Sequence, residues 1–337
     1  MRLTDFDYDL PAERIAQIPI EPRDAARLLV DRGSNAPRHV HVCDLPTLLD
    51  DGDLLVINDT KVIPARLLLR RETGGSAEVL LLEPVSDDRR VWEAMIRPGR
   101  KLRLGERLVD LAGDALVEIG PRTEAGDTCT VTIVAEGDPL TLLQRHGQMP
   151  LPPYITAELA QPDRYQTVYA KDPASAAAPT AGLHFTPQLL DAVAALGVEI
   201  ARVELVVGLD TFKPVSVSDP SKHVMHSERY TVGVDVMEQC RQARRVVAVG
   251  TTSVRALESA AASGQLNGRT RLFITRPFDW KVVDLMMTNF HLPRTTLLMM
   301  IDAFVGDRWH HLYEIALTGG YRFLSFGDAM LLDRKAA

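Results

Sequence analysis

The sequence predicts a mixed α/β protein carrying a small antiparallel β-barrel inserted into it. Three observations lead there. Between residues 63 and 135, short apolar runs (IPARLLL, AEVLLLE, VWEAMIR, RLVDLAG, DALVEIG, TCTVTIV) alternate with turn signals such as ETGGS, RPGRKLRLG and GPRTEAGD, the texture of a small barrel. After residue 180, helical and strand-like segments alternate instead. The composition, 46% apolar and 25% charged over 337 residues, is ordinary for a globular chain of about two domains. The expected division is an α/β domain from residues 1–60 and 151–337, with the barrel at 61–150.

Taken in order, the chain opens with an irregular acidic stretch, DFDYDLPAERIAQIPIEPRD, interrupted by Pro11, Pro19 and Pro22. A short helical pattern follows at 45–49, then a strand, DLLVIND, at 53–59. Beyond the barrel runs, PLTLLQRHG (139–147) reads as a helix, and MPLPPYI (149–155) as a rigid connector. PQLLDAVAALG (187–197) is a helix ended by Gly197, and VEIARVELVVG (198–208) a strand. Helix 235–245, strand VVAVG (246–250), helix 252–264 and strand RLFIT (271–275) come next. Pro293 stands where a helix would start, before TTLLMMIDAFVG, and RWHHLYEIALTGG forms a further helix.

The charge balance bounds function. With 38 Lys and Arg against 45 Asp and Glu, the net charge of −7 excludes a generally basic nucleic-acid binder, though not a local basic patch. Cys43, Cys129 and Cys240 are dispersed, with no C-x-x-C, which argues against a disulfide framework or zinc ribbon and suits a reducing compartment. The N-terminus carries acids where a secretory signal needs an apolar core, and no apolar run approaches the length of a membrane span. A cytoplasmic enzyme is expected.

Several strings carry chemistry. In APTAGLHFTPQLL (178–190), Thr186 and Pro187 make a sound N-cap and first helical position. His184 would then sit beside a helix N-terminus, whose dipole lowers its pKa. It is either a loop residue satisfying backbone, or a functional group acting as a general base or as a hydrogen-bond donor to substrate. VVAVGTTSVRALESA (246–260) places Gly-Thr-Thr-Ser between strand and helix, a geometry that gathers N–H groups and hydroxyls around a polar ligand. Neither G-x-G-x-x-G nor a Walker pattern is present, so neither a dinucleotide nor an NTP is implied. Thr252 or Ser253 could merely cap that helix. Arg255, close to its positive end, calls for an anionic partner.

In SKHVMHSERY (221–230), His223 and His226 are three apart with Glu228 following. On a helix they could form a metal pair, but no third ligand is evident and the surroundings read as loop or strand. Asn289 and His291 lie in LMMTNFHLPRTTLLMM (285–300), whose methionines read as core filler. Residues 61–107 hold 11 Lys and Arg against 7 Asp and Glu, with Arg97, Arg100, Lys101, Arg103 and Arg107 close together. That is either a solvated turn or a phosphate-backbone contact. DRYQTVY (163–169) adds Arg164, Tyr165 and Tyr169, a mixture suited to base stacking.

Together NDTKVIPAR (58–66), MPLPPYI, RYQTVYA (164–170), APTAGLHFT, VGTTSVRALES, TNFHLP (288–293) and YRFLSFGDAML (321–331) occur in an order that closely resembles the S-adenosylmethionine:tRNA ribosyltransferase-isomerase family of the queuosine pathway, over essentially the whole length. The resemblance implies a two-domain fold with one domain a barrel inserted into the other. It also implies that S-adenosylmethionine is consumed as a ribosyl donor. The ribosyl unit would be transferred and isomerised onto 7-aminomethyl-7-deazaguanine at the tRNA wobble position, giving epoxyqueuosine-tRNA and releasing adenine and methionine. The sulfonium acidifies the C5′ protons, so a positioned base could begin the reaction through a ylide, with no metal or redox cofactor.

Within the matching motifs, His184, His226, Glu228 and Asp59 are the expected catalytic groups, and Asn58 and Asp59 end a strand at the domain junction, where a cleft is expected. Thr180, Gly182, Thr251, Thr252, Ser253, Arg255, Asn289 and His291 are expected to bind S-adenosylmethionine, and Arg97, Arg100, Lys101, Arg103, Arg164 and Tyr165 to bind tRNA. A monomer with no metal is expected. The chain departs from the family pattern at Gln148, Asp210 and Val224 and within RPFDWKVVD (276–284). Competing classes are a methyltransferase, weakened by the missing early G-x-G, a hydrolase using a metal on His223 and His226, and a non-catalytic RNA-binding protein using its barrel.

Overall fold

The computed structural model describes residues 2–33, 36–99, 101–123, 126, 128–208, 215, 217 and 219–334. The chain divides into two compact units. One comprises Met1–Asp59, Pro153–Lys171 and Pro179–Ala337; the other comprises Thr60–Pro152 and Asp172–Ala178. The second stretch of the smaller unit falls in a segment the sequence reading left with the α/β part.

The chain begins with β1 (Arg27–Asp31), β2 (Arg38–His41) and β3 (Asp53–Asn58) of the larger unit. In the smaller unit follow β4 (Thr60–Val62), β5 (Arg66–Arg71), β6 (Ser76–Pro84), β7 (Val91–Arg97), β8 (Arg107–Val109), β9 (Ala115–Arg122), β10 (Cys129–Ile133), helix α1 (Pro139–His146), β11 (Gly147–Gln148) and β12 (Asp172–Ser175). Strands β5 to β10 are the expected barrel strands, all antiparallel, in the order β5-β6-β7-β10-β9-β8, and pairing of β5 with β8 closes the ring. Alternate residues point inward, so Leu67, Leu69, Val79, Leu81, Trp92, Val117, Ile119 and Val131 fill the interior, the period-2 pattern that made these strands legible. β12 pairs in parallel with β4, which is why Asp172–Ala178 belongs to this unit.

The larger unit continues with α2 (Pro187–Ala194), β13 (Glu199–Leu205), β14 (Glu228–Val232), α3 (Val234–Gln242), β15 (Arg245–Val249), α4 (Gly250–Ser263), β16 (Asn267–Thr270), β17 (Leu285–Asn289), α5 (Thr296–Val305), α6 (Arg308–Thr318) and β18 (Ala329–Asp333). Its nine-stranded sheet has the order β16-β14-β13-β3-β15-β17-β18-β1-β2. The four central strands β13, β3, β15 and β17 are parallel, and β3, β15 and β17 are apolar and almost wholly buried because helices and loops cover both faces. On one face Leu55, Ile57, Val247, Val249, Leu285 and Met287 pack with Leu189 and Val193 of α2 and with Leu45 and Leu48. Helix α4 packs against the same strands. No helix of the described residues is long and apolar enough to cross a membrane.

Three local expectations are corrected. The strand expected at 271–275 lies one step upstream, as β16. Beyond it the Thr270 hydroxyl accepts the Leu272 N–H at 3.0 Å and the Leu272 carbonyl accepts from the Arg255 guanidinium at 3.2 Å, so this backbone bonds to side chains instead of a neighbouring strand. Pro293 does not start α5: the N-cap is Thr295, whose hydroxyl accepts the Leu298 N–H at 3.3 Å. The helix read at 235–245 ends at Gln242, and Arg245 already opens β15, where Asp53 and Asp50 hold its guanidinium.

Candidate active site

The parallel strands converge on one edge of the larger unit's sheet. After β3 the chain passes through the smaller unit and returns by α2 to β13, and after β15 it passes through α4 to β16, on the same side of the sheet as β13, before reaching β17. Ligands of open α/β sheets bind at the carboxyl ends of the parallel strands. Asn58 and Asp59 end β3, Gly250 and Thr251 follow β15, and Asn289 is the last residue of β17. The Asn58 amide prolongs the sheet by exchanging hydrogen bonds with the Leu205 backbone at 3.0 and 3.2 Å.

Asn289 organises the centre. Its carbonyl oxygen accepts from the Thr180 hydroxyl at 3.0 Å, and its amide nitrogen lies 3.0 Å from His184 Nε2 and 3.4 Å from the Asp328 carbonyl oxygen. A carbonyl can only accept, so the amide NH2 faces Asp328 and therefore also donates to Nε2. That occupies the Nε2 lone pair and leaves the ring proton on Nδ1. His184 is 4% exposed, and burial, reinforced by the nearby Arg322 and Arg23 cations, pushes its pKa down to about 4. The cause is desolvation first and cationic neighbours second, in place of the helix dipole expected from sequence. His184 ends the tight 3-10 turn Thr180–His184 that precedes α2, while Thr186 caps α2 as predicted, accepting the Leu189 N–H at 3.1 Å.

Gly182 has a steric reason to be glycine. A Cβ there would lie 2.0 Å from Tyr169 Oη and 2.9 Å from Thr167 Cγ2. The Tyr169 and Thr167 hydroxyls, both buried, and that of Thr252 have no hydrogen-bond partner among the described residues. His291 is likewise buried, its pKa lowered by desolvation to about 3, with Nε2 3.1 Å from Thr288 Oγ1 and its backbone N–H donating to Tyr313 at 3.0 Å.

The Gly-Thr-Thr-Ser segment enters α4 at Gly250, two residues earlier than expected, and no side chain caps the helix. Ser253 donates to the Val249 carbonyl at 2.7 Å and so neither caps nor faces outward. Arg255 finds its anion within the chain, in a buried ion pair with Glu228. The other Glu228 oxygen accepts the Gly208 N–H at 2.7 Å, so both carboxylate oxygens are engaged. Beside Arg255 a cleft of about 310 Å³ is lined by Met225, Phe273, Leu297 and Met300.

His223 and His226 are not on a helix. They follow the short turn Pro220–Lys222, and the His223 ring packs edge-on against Phe273. Among the described residues no group of three or more His, Cys, Asp or Glu side chains could hold a metal ion. Asp59, at the end of β3, is half-buried, and its backbone bonds to Val203 and Lys171.

Tyr165 is corrected. It is fully buried, with its ring set edge-on against Phe326 at 6.0 Å, so it offers no face to a base. Arg164 is held at 2.5 Å by Glu21 and at 2.7 Å by the Ile20 carbonyl. In the smaller unit Arg97, Lys101 and Arg103 are exposed on a turn that Glu106 organises, accepting from the Arg103 N–H at 2.9 Å and from Arg71 at 2.5 Å. Arg100 and Asp210 lie outside the described residues. Sequence reading missed Arg23 and Asp328, which reach His184 and Asn289 from remote segments with no local motif to announce them.

Comparisons with known proteins agree with one another. The profile of a family described as "Queuosine biosynthesis protein" matches residues 3–332. The chain is 53% identical to the S-adenosylmethionine:tRNA ribosyltransferase-isomerase of Symbiobacterium thermophilum, over 98% of this chain and 100% of that one. It is 49% identical to the enzyme of the same name from Thermus thermophilus, over 98% and 99% of the two chains. Among solved structures, the crystal structure of S-adenosylmethionine tRNA ribosyltransferase from Thermotoga maritima matches with a TM-score of 0.55 and 38% identity, covering 97% of this chain and 99% of that one.

Proposed function

The chain belongs to the queuosine biosynthesis protein family, and from that premise we propose that it transfers and isomerises the ribosyl unit of S-adenosylmethionine onto 7-aminomethyl-7-deazaguanine at the wobble position of tRNA. Epoxyqueuosine-tRNA forms, and adenine and methionine leave. The enzyme works as a cytoplasmic monomer and consumes S-adenosylmethionine as a substrate, with no resident metal or redox cofactor. What supports this reading is the His184 imidazole, which burial and neighbouring cations keep neutral at pH 7 and whose tautomer Thr180 and Asn289 fix, in a reaction that needs protons moved near neutrality.

The trio favours one of the two roles sequence left open for His184. With Nε2 already accepting from Asn289, the ring serves as an Nδ1–H donor to a leaving nitrogen or oxyanion. The C5′ proton then falls to a carboxylate, either Asp59, which follows β3, or Glu228, which opens β14. Thr180 and Asn289 hold the donor, the backbone N–H groups at Gly250–Thr252 offer polar contacts to S-adenosylmethionine, and the barrel residues Arg97, Lys101 and Arg103 contact tRNA phosphates. Chromatography of a reaction with tRNA carrying the aminomethyl base tests the proposal. Adenine and methionine should appear in step with ribosylated tRNA, and S-adenosylhomocysteine as the main product would sink it.

A further inference from the structure

One recess of the larger unit collects cations around His184. It has an empty volume of about 250 Å³ and is lined by Ile20, Arg23, Arg164, His184, Ser325 and Phe326, among others. Arg23 enters from the turn after Pro22, and among the described residues its guanidinium donates only to main-chain carbonyls: Gln166 at 2.7 Å, Asp163 at 3.3 Å and Leu183 at 3.4 Å. Those bonds orient the fork without neutralising it. Arg164 has a carboxylate, Glu21, but that side chain is 76% exposed and held by a single ion pair, an arrangement worth little in water and readily exchanged. The Ser325 hydroxyl is 2.8 Å from Tyr154 Oη. His184 turns Nε2 toward Asn289, so Nδ1–H is the polar group it has left for a ligand.

The acids near the recess offset part of this charge. The Asp328 carboxylate accepts the backbone N–H groups of Arg27 and Arg322, each at 2.8 Å, Glu21 is the carboxylate on Arg164, and Glu21 and Asp163 both attract the Arg23 guanidinium. At His184 the cations prevail: after burial, Arg322 and Arg23 lower its pKa, while at Arg23 the lowering by burial and Arg164 is opposed by Glu21 and Asp163.

We propose that this recess is an oxyanion site in which Arg23 and Arg164 supply the charge and His184 Nδ1–H a neutral donor, taking the carboxylate or phosphate end of a larger ligand. Given the function proposed above, on which this assignment of sources rests, the oxyanion is either the carboxylate of S-adenosylmethionine or a phosphodiester of tRNA.

The test uses the full chain and two variants, Arg23→Gln and Arg164→Gln, each checked by thermal melting. Arg164→Gln gives up only the bonds to Glu21 and Ile20, so it keeps the test open should Arg23→Gln fail to fold. Inorganic phosphate, titrated by calorimetry, should bind the wild type and bind each folded variant about tenfold or more weakly, as expected for loss of a charge-assisted hydrogen bond. A raised KM for S-adenosylmethionine with unchanged tRNA affinity identifies the carboxylate; weakened tRNA binding with unchanged KM identifies the phosphodiester. No phosphate binding by the wild type, or equal binding by the folded variants, overturns the site. If the wild type consumes no S-adenosylmethionine with tRNA, the proposed function fails, while the phosphate titration still decides the recess.

Discussion

Replacing His184 with Asn separates its structural role from its chemical one. In the native protein the imidazole resists protonation until the pH nears about 4, whereas in the unfolded chain it titrates near the ordinary histidine value of 6.5. Between those values the unfolded state binds the extra proton, so stability falls as pH falls from about 6.5 toward 4 and is fully retained above that window. At pH 5 the loss from this one residue is about 2 kcal/mol relative to pH 8, approaching 3 kcal/mol at and below pH 4. His291, held near 3 by burial, adds its own loss in the same direction, but both proteins keep it and it cancels. His184→Asn has nothing to protonate there. It gives up a constant amount for the unpaired Asn289 N–H, about 1–3 kcal/mol, and should then lose less stability than the wild type on acidification. Urea unfolding of both proteins at pH 8, 6, 5 and 4.5 measures the difference. A gap that stays constant across that range would refute the buried, neutral imidazole. Turnover is the second readout. An Asn amide presents an N–H close to the Nδ1 position, so His184→Asn should outperform His184→Ala, whose loss is about 10²–10⁴-fold. Equal rates for the two variants would remove the donor role.

Gly182→Ala forces a Cβ onto Tyr169 Oη, so it should destabilise by about 1–3 kcal/mol. Adding Tyr169→Phe, which deletes that oxygen, should restore much of the loss in thermal melts. Glu228→Gln leaves Arg255 as a buried cation with a neutral partner, and a loss approaching the 3–5 kcal/mol range of broken buried pairs is expected by chemical denaturation. A loss below about 1 kcal/mol would mean that water reaches the pair. Neutralising Arg97, Lys101 and Arg103 to Gln should weaken tRNA binding and flatten its dependence on salt by about one counterion per phosphate contact. An unchanged affinity and slope in filter binding would move the RNA surface elsewhere.

Local rules made much of the fold and part of the site legible. The barrel strands were readable because alternate residues face one interior, and the start of α2 because Thr186 and Pro187 satisfy a helix end from adjacent positions. Runs such as DLLVIN announced buried strands through composition alone. Asn289 and His184 stood out as polar residues in tightly constrained motifs, yet the bond between them, and with it the tautomer of the imidazole, spans 105 residues of sequence.

Tertiary structure decided the rest. Tyr165 belongs to a polar-looking segment, but Phe326 arrives from the C-terminal region to bury it. Arg255 suggested an external anion until β14 brought Glu228 beside it. The stretch 271–275 has the apolar character of a strand but no neighbouring strand to pair with, so its backbone turns to Thr270 and Arg255. Propensity and periodicity act within a turn or two of chain, so they can be read from adjacent residues. Burial, charge pairing and the direction of a hydrogen bond depend on which distant segment is packed alongside, and that is set only when the sheet brings its strands into order.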